Sequence, residues 1–284
     1  MTVPGTSPAP GVVLGVRVGP FDGTIDADLA RRCAEATHDR SPRVEAGEAV
    51  PPVAVLARLW EAQGAGRAAL VPDEMQRTAT GGVHGEHDLL LHREIVPGEP
   101  LRIWVDGHGS RPAGRNSLVT LRYVAVDADD AVVAEQWWTT VYLGTTCDVI
   151  GSPAPEHAFP DDARGRPMGS CEIDVDEDMT RRYAEVSGDW SPHHFDVDAA
   201  RRSGSDRVFL HGLCTMALCA QGVVSLVGAE GTDEVRRVAV RFASPTWLGE
   251  RLRVRVHDAG PLGYAFEADC AGVTVVTHGR VELR

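Results

Sequence analysis

The 284-residue sequence contains no lysine, so all 28 of its basic side chains are arginine, and it has a single asparagine, Asn116. Without lysine there is no Schiff base, no internal aldimine for pyridoxal phosphate and no lysine-bearing phosphate loop. Cysteine is sparse and scattered, at positions 33, 147, 171, 214, 219 and 270, with no Cys-x-x-Cys pair. A zinc knuckle or a disulfide framework is therefore not expected, and buried free thiols in a reducing cytoplasm are. The N-terminal MTVPGTSPAP lacks a basic and an apolar region, so no secretory signal is expected. No apolar run reaches the length of a membrane span; even GLCTMALCAQGVVSLVGA is interrupted by Thr215, Gln221 and Ser225. The 41 acidic residues leave a net charge of −13, which argues against nucleic acid as a partner because phosphate neutralisation needs a basic face.

What is present is organised by a repeat. Cys33–Pro42 reads CAEATHDRSP and Tyr183–Pro192 reads YAEVSGDWSP, identical at five of ten places at an offset of 150. Gly98–Ile103 (GEPLRI) returns as Gly249–Val254 (GERLRV) at an offset of 151. Two matches at nearly one offset indicate a duplicated unit: 1–150, a Pro- and charge-rich linker at 151–166, and 167–284. In the second unit an alternating stretch, Cys171–Val175, reads as a strand, and 176–186 reads as a helix that Gly188 can end. An apolar helix is expected over 212–227, then strands at 237–242, 251–257, 264–270 and 273–283. The first unit repeats this order, with a helix near 53–63 and strands at 87–95, 101–107, 117–125 and 132–143. A helix followed by an antiparallel sheet, twice over, predicts an α+β fold in which each sheet wraps a helix.

The densest polar cluster is Ser187-Gly188-Asp189-Trp190-Ser191-Pro192-His193-His194-Phe195-Asp196, followed by Phe209-Leu210-His211-Gly212-Leu213 at the start of the apolar helix. Asp189 and His194 flank a proline in a loop, and a turn there brings a carboxylate and an imidazole onto one small molecule, as an acid/base pair requires. Gly212 opens a helix, where unpaired N–H groups favour a developing negative charge and the missing Cβ admits a ligand. Plainer roles compete: the Gly-Asp-x-Ser-Pro turn as a cap, His193 as a solvated neighbour, and His211 as donor to a backbone carbonyl. Met216, Leu218, Val223 and Leu226 form a core stripe.

SGDWSPHHFD followed by FLHGLCTMALCAQ resembles the signature of the MaoC-like, R-specific enoyl-CoA hydratase (hydratase 2) family: Ser-Gly-Asp-x-Asn-Pro-x-His-x-Asp, then His-Gly-Leu opening the central helix. The first half, with HREIVPGEPL and the THDRSPRV loop, resembles the N-terminal half of the two-domain members. The resemblance implies a double hot-dog fold and hydration of an enoyl thioester on coenzyme A or an acyl carrier protein. It implies Asp189 and His194 as catalytic residues and Gly212, Ser191 and His211 as substrate-binding ones. It also implies a cytoplasmic homodimer with no metal and no organic cofactor. In the first half Asp39 matches the aspartate, but Val44 stands where the histidine belongs, so one site per chain is implied. Ser191 stands where the family has asparagine, which leaves open another nucleophile, such as an amine, in place of water. Two further readings are a hot-dog thioesterase, which commonly uses a helix carboxylate, and a non-catalytic acyl-binding protein. The helix over 212–227 has no acid; Glu61 lies on the first helix, where Arg58 would be its partner. Arg201, Arg202 and Arg207 are candidates for meeting a carrier's phosphates.

Overall fold

The computed structural model describes residues 9–284; most of the N-terminal stretch read for a signal lies outside them. The first half runs β1 (Arg17–Asp22), α1 (Ala27–Ala36), α2 (Pro42–Glu45), α3 (Pro52–Ala57), α4 (Trp60–Leu70) and α5 (Asp73–Thr78). It continues with β2 (Gly81–Leu91), β3 (Arg102–Ala113), β4 (Asn116–Val126), β5 (Val132–Leu143) and the short β6 (Ile150–Gly151). The second half has β7 (Pro167–Asp174), α6 (Met179–Ser187), α7 (Val197–Arg202) and α8 (Gly212–Val227). Four strands close it: β8 (Val235–Phe242), β9 (Arg251–Asp258), β10 (Tyr264–Cys270) and β11 (Val273–Leu283).

The strands form one antiparallel sheet in the order β1-β3-β4-β5-β2-β8-β11-β10-β9-β7, with β6 on β3. Replacing each strand by its repeat partner reverses this order onto itself, which is the spatial form of the sequence repeat. Two sheets were expected; a single one results because β2 and β8 pair edge to edge, from Glu86 opposite Arg241 to Leu90 opposite Arg237. Arg237 closes on Asp88 at 2.6 Å across this seam, and Arg241 on Glu86 at 2.8 Å. Asp88 is almost fully buried, so its pairing with Arg237 is what makes its burial tolerable.

α8 explains the core. Eleven of its sixteen residues are buried, and it carries no charge. Such a helix is apolar all round and must be enclosed; it packs against β7, β8, β9 and β10. Gly228, at φ 77°, ends it in the left-handed conformation that glycine permits. The single helix expected near 53–63 is instead two. The Leu59 N–H takes the Leu56 carbonyl at 3.2 Å, tightening the chain before α4 restarts against β1 and β3. Arg58 at this break pairs with Asp22 rather than with Glu61, which is exposed. α6 starts at Met179 rather than 176, and the Asp176 carboxylate ahead of it is held by His38 and Arg182. The linker is fixed to the sheet: His157 donates from Nδ1 to the His278 carbonyl at 2.8 Å, and Arg237 donates to the Glu156 carbonyl. Asn116 accepts from the Gly144 N–H at 3.0 Å, joining the ends of β4 and β5. All six cysteines are free thiols, five of them buried.

Candidate active site

The turn after α6 is built by its own polar side chains. The Ser191 N–H donates to Asp189 Oδ1 at 3.0 Å, and the Asp189 N–H to Ser187 Oγ at 3.2 Å. Pro192 then starts a single tight turn in which the His194 N–H bonds the Ser191 carbonyl. The predicted capping chemistry and the predicted catalytic loop are thus the same residues: one carboxylate oxygen folds the turn, and the other carries no hydrogen bond among the described residues.

His194 is 6 % exposed and His211 2 %, while the Asp189 side chain keeps 16 %. His194 Nδ1 lies 2.8 Å from the Phe209 carbonyl. A carbonyl only accepts, so Nδ1 carries the proton and Nε2 presents its lone pair. Burial, reinforced by the neighbouring His211, pushes the His194 imidazole down to about 3, so it is neutral near pH 7. Burial holds His211 at about 4. His211 Nε2 donates to the Asp189 main-chain carbonyl at 2.9 Å and lies 4.0 Å from Asp189 Oδ2. The His194 and His211 rings stack at 3.8 Å between centroids, inclined by 30°. His193, expected to be solvated, is half-buried with its ring stacked on Phe209.

Donor atoms of Asp189, His194 and His211 lie within 4.8 Å of one another, a separation that would suit a cation. The ring geometry disfavours one. Imidazole lone pairs lie in the ring plane, so two stacked rings send them side by side rather than toward one ion.

Gly212 begins α8 with no side-chain cap, and its N–H has no partner among the described residues. A Cβ there would come 3.3 Å from the tip of the Phe242 ring. The loop and this helix start meet through His211, whose backbone precedes Gly212 and whose side chain grips Asp189. The five residues singled out in the sequence therefore converge. Arg201 is engaged by Asp198, and Arg207 by Glu250 and the Trp247 ring; Arg202 is exposed. Sequence reasoning missed the Phe209 carbonyl and Phe242. Backbone acceptors leave no trace in residue type, although Phe209 is only two positions from His211.

The class follows from the fold: an α+β double hot-dog protein with one Asp/His loop. A MaoC-like dehydratase from Phytophthora capsici superposes with a TM-score of 0.79 at 19 % identity, over 94 % of this chain and 95 % of that one. A Mycobacterium tuberculosis protein described as having a double hot-dog fold gives 0.62 at 18 % identity, over 95 % of both chains. Residues 161–277 match the family model of the MaoC like domain. The second half of the chain is thus similar to MaoC-like dehydratases. Among curated proteins the chain is 25 % identical to 3-hydroxyacyl-thioester dehydratase Y of M. tuberculosis over 193 residues, 67 % of this chain and 66 % of that protein. It is 30 % identical to the peroxisomal enoyl-CoA hydratase 2 of Arabidopsis thaliana over 179 residues, 60 % of this chain and 58 % of that one. The matches thus span less than two thirds of these relatives' length.

Proposed function

We propose that the protein is a hydro-lyase that adds water reversibly across a trans-2-enoyl thioester, giving an R-configured 3-hydroxyacyl thioester. The observation that carries this reading is the neutral His194, with Nδ1 committed to Phe209 and Nε2 free, beside the open oxygen of Asp189 and the unpartnered N–H of Gly212. Asp189 and His194 hold a water between them and take one of its protons. The water oxygen bonds to C3, the C2–C3 π pair moves toward the thioester, and the Gly212 N–H stabilises the enolate-like oxygen. The proton then returns to C2. Ser191 contributes the N–H that orients Asp189, and its hydroxyl caps nothing in the turn. Glu61 is exposed and α8 is uncharged, so the thioesterase reading lacks the central-helix carboxylate that it would use.

The same proposal takes 1–150 and 167–284 as the two hot-dog units and 151–166 as their linker. It takes coenzyme A or an acyl carrier protein as the carrier, and a cytoplasmic homodimer as the working form. No helix among the described residues is long and apolar enough to cross a membrane. Mass spectrometry of enoyl thioesters incubated with the protein, with and without amino acids, tests the chemistry. Gain of one water with R configuration is expected. Gain of an amine assigns the other nucleophile, and free thiol without hydration overturns the reading.

A further inference from the structure

Beyond the acid/base pair of Asp189 and His194, the site contains a second buried imidazole, His211, that chemistry at the substrate does not require. His211 is sandwiched: the His194 ring lies 3.8 Å from its centroid and the Tyr183 ring 5.1 Å. Its Nε2–H is spent on the Asp189 carbonyl, and its Nδ1 is buried with no hydrogen-bond partner among the described residues. A group so enclosed is poorly placed to bind substrate. Resting on the function proposed above, we infer that His211 is a positioning residue: it clamps the Asp189 main chain to the start of α8 and lies as a flat wall against His194, keeping that ring in place and uncharged.

The physical basis has two separable parts. The first is the Nε2–H bond to the Asp189 carbonyl, which spans two segments 22 residues apart and joins the catalytic loop to the helix start. Losing it leaves a carbonyl unpaired in a nearly dry site and frees the turn to shift the carboxylate. The second is charge exclusion. Two stacked imidazoles in a buried space cannot both carry a proton cheaply, and the repulsion of His211 follows burial among the causes that keep His194 neutral. The other titratable groups facing the pair are Asp189 and His193 from the loop and Tyr183 from α6, which in turn faces Cys214 of α8 and Cys33 of α1. Asp189 pulls His194 upward, while His193 pushes it down.

Two substitutions separate the parts. His211→Gln keeps an N–H near the Nε2 position but removes the titratable ring; His211→Phe keeps a stacked ring but no donor. For His211→Phe a loss of about 10- to 100-fold in kcat with KM little changed is expected, the size of a lost bond to a buried acceptor. For His211→Gln, kcat is expected within about tenfold of the parent. Its acid limb in kcat/KM should move to higher pH, toward the ordinary histidine range near 6.5. Nitrogen-labelled histidine NMR reads the same titration without substrate: the His194 signals, assigned through His194→Gln, should titrate at higher pH in His211→Gln than in the parent. A rise in KM with kcat retained in both variants would make His211 a substrate contact and overturn the inference. So would a His194 titration in His211→Gln that coincides with the parent's. If the parent hydrates no enoyl thioester, the proposed function fails, and the NMR titration still decides the role of His211.

Discussion

The two halves hold the same turn and use it differently. At Asp189 the Ser191 N–H takes one carboxylate oxygen at 3.0 Å, and at Asp39 the Ser41 N–H does the same at 3.1 Å. The other oxygen separates them. On Asp39 it accepts from Thr232, which arrives from the second half just ahead of β8, and Ser41 donates to the adjoining Asp233. Val44, fully buried, fills the place that His194 occupies in the second half. The first corner has become a joint between the halves, with its polar groups satisfied internally, whereas the second keeps a carboxylate oxygen, an imidazole nitrogen and a helix N–H uncommitted. A conserved-looking turn is therefore no evidence of a site; the unspent donors and acceptors are.

The largest test of this contrast compares the two aspartates. Asp189→Asn or His194→Ala should lower kcat by about 10²- to 10⁴-fold, the usual worth of a positioned acid or base, with the circular dichroism and melting curve retained. Asp39→Asn should leave turnover unchanged. A kinetic loss in Asp39→Asn matching that in Asp189→Asn would mean both corners react. Restoring the missing histidine is the next step: Val44→His should destabilise the fold by about 2–4 kcal/mol in denaturant titration, because the imidazole enters an apolar pocket beside a carboxylate already engaged. It should add no turnover. Doubling of the activity would show the first corner to be open after all.

A smaller effect separates access from chemistry in the second half. In Gly212→Ala the added methyl meets the Phe242 ring at 3.3 Å and stands where a thioester oxygen would approach the N–H. A fall of about tenfold in kcat, with stability within about 1 kcal/mol, is expected from steady-state kinetics and melting. Unchanged kcat would remove Gly212 from the oxyanion role.

How far the sequence carries this picture depends on the distance over which each feature is encoded. α8 is legible because sixteen uncharged, mostly apolar residues admit only an enclosed helix. The Asp189–His194 loop is legible because its parts are five residues apart and fold one another. The seam is not. Nothing in the residue pattern of β2 or of β8 says that its free edge meets one some 150 residues away. The Thr232–Asp39 contact is equally silent, being a pairing across 193 positions. The break at Arg58–Leu59 escapes for a subtler reason, since apolar residues resume at Leu59 and Trp60 directly after Arg58, across a local tightening of backbone hydrogen bonds.

The smallest expected effect is a pH dependence confined to the closed corner. Burial raises the Asp39 carboxyl above its ordinary value, a rise only partly offset by the bonds from Thr232 and Ser41, and the Asp233 carboxylate adds to it. A carboxyl whose folded pKa lies above its unfolded value, about 3.9, is neutral in both states at low pH and contributes nothing there. As pH climbs from the unfolded value through the raised folded one, the unfolded chain ionises first, and folding loses stability until both states are charged. Asp39 therefore costs stability at neutral pH, the opposite sign to a salt-bridged aspartate. Asp39→Asn keeps an acceptor for the Ser41 N–H and lets Thr232 accept in place of donating. Chemical denaturation across pH 4–7 should then show the parent declining relative to Asp39→Asn as pH rises, and the two converging at the acid end. A parent that instead gained on the variant as pH rose would show the Asp39 carboxylate to be stabilised by its partners, and the joint to be held by charge rather than by neutral hydrogen bonds.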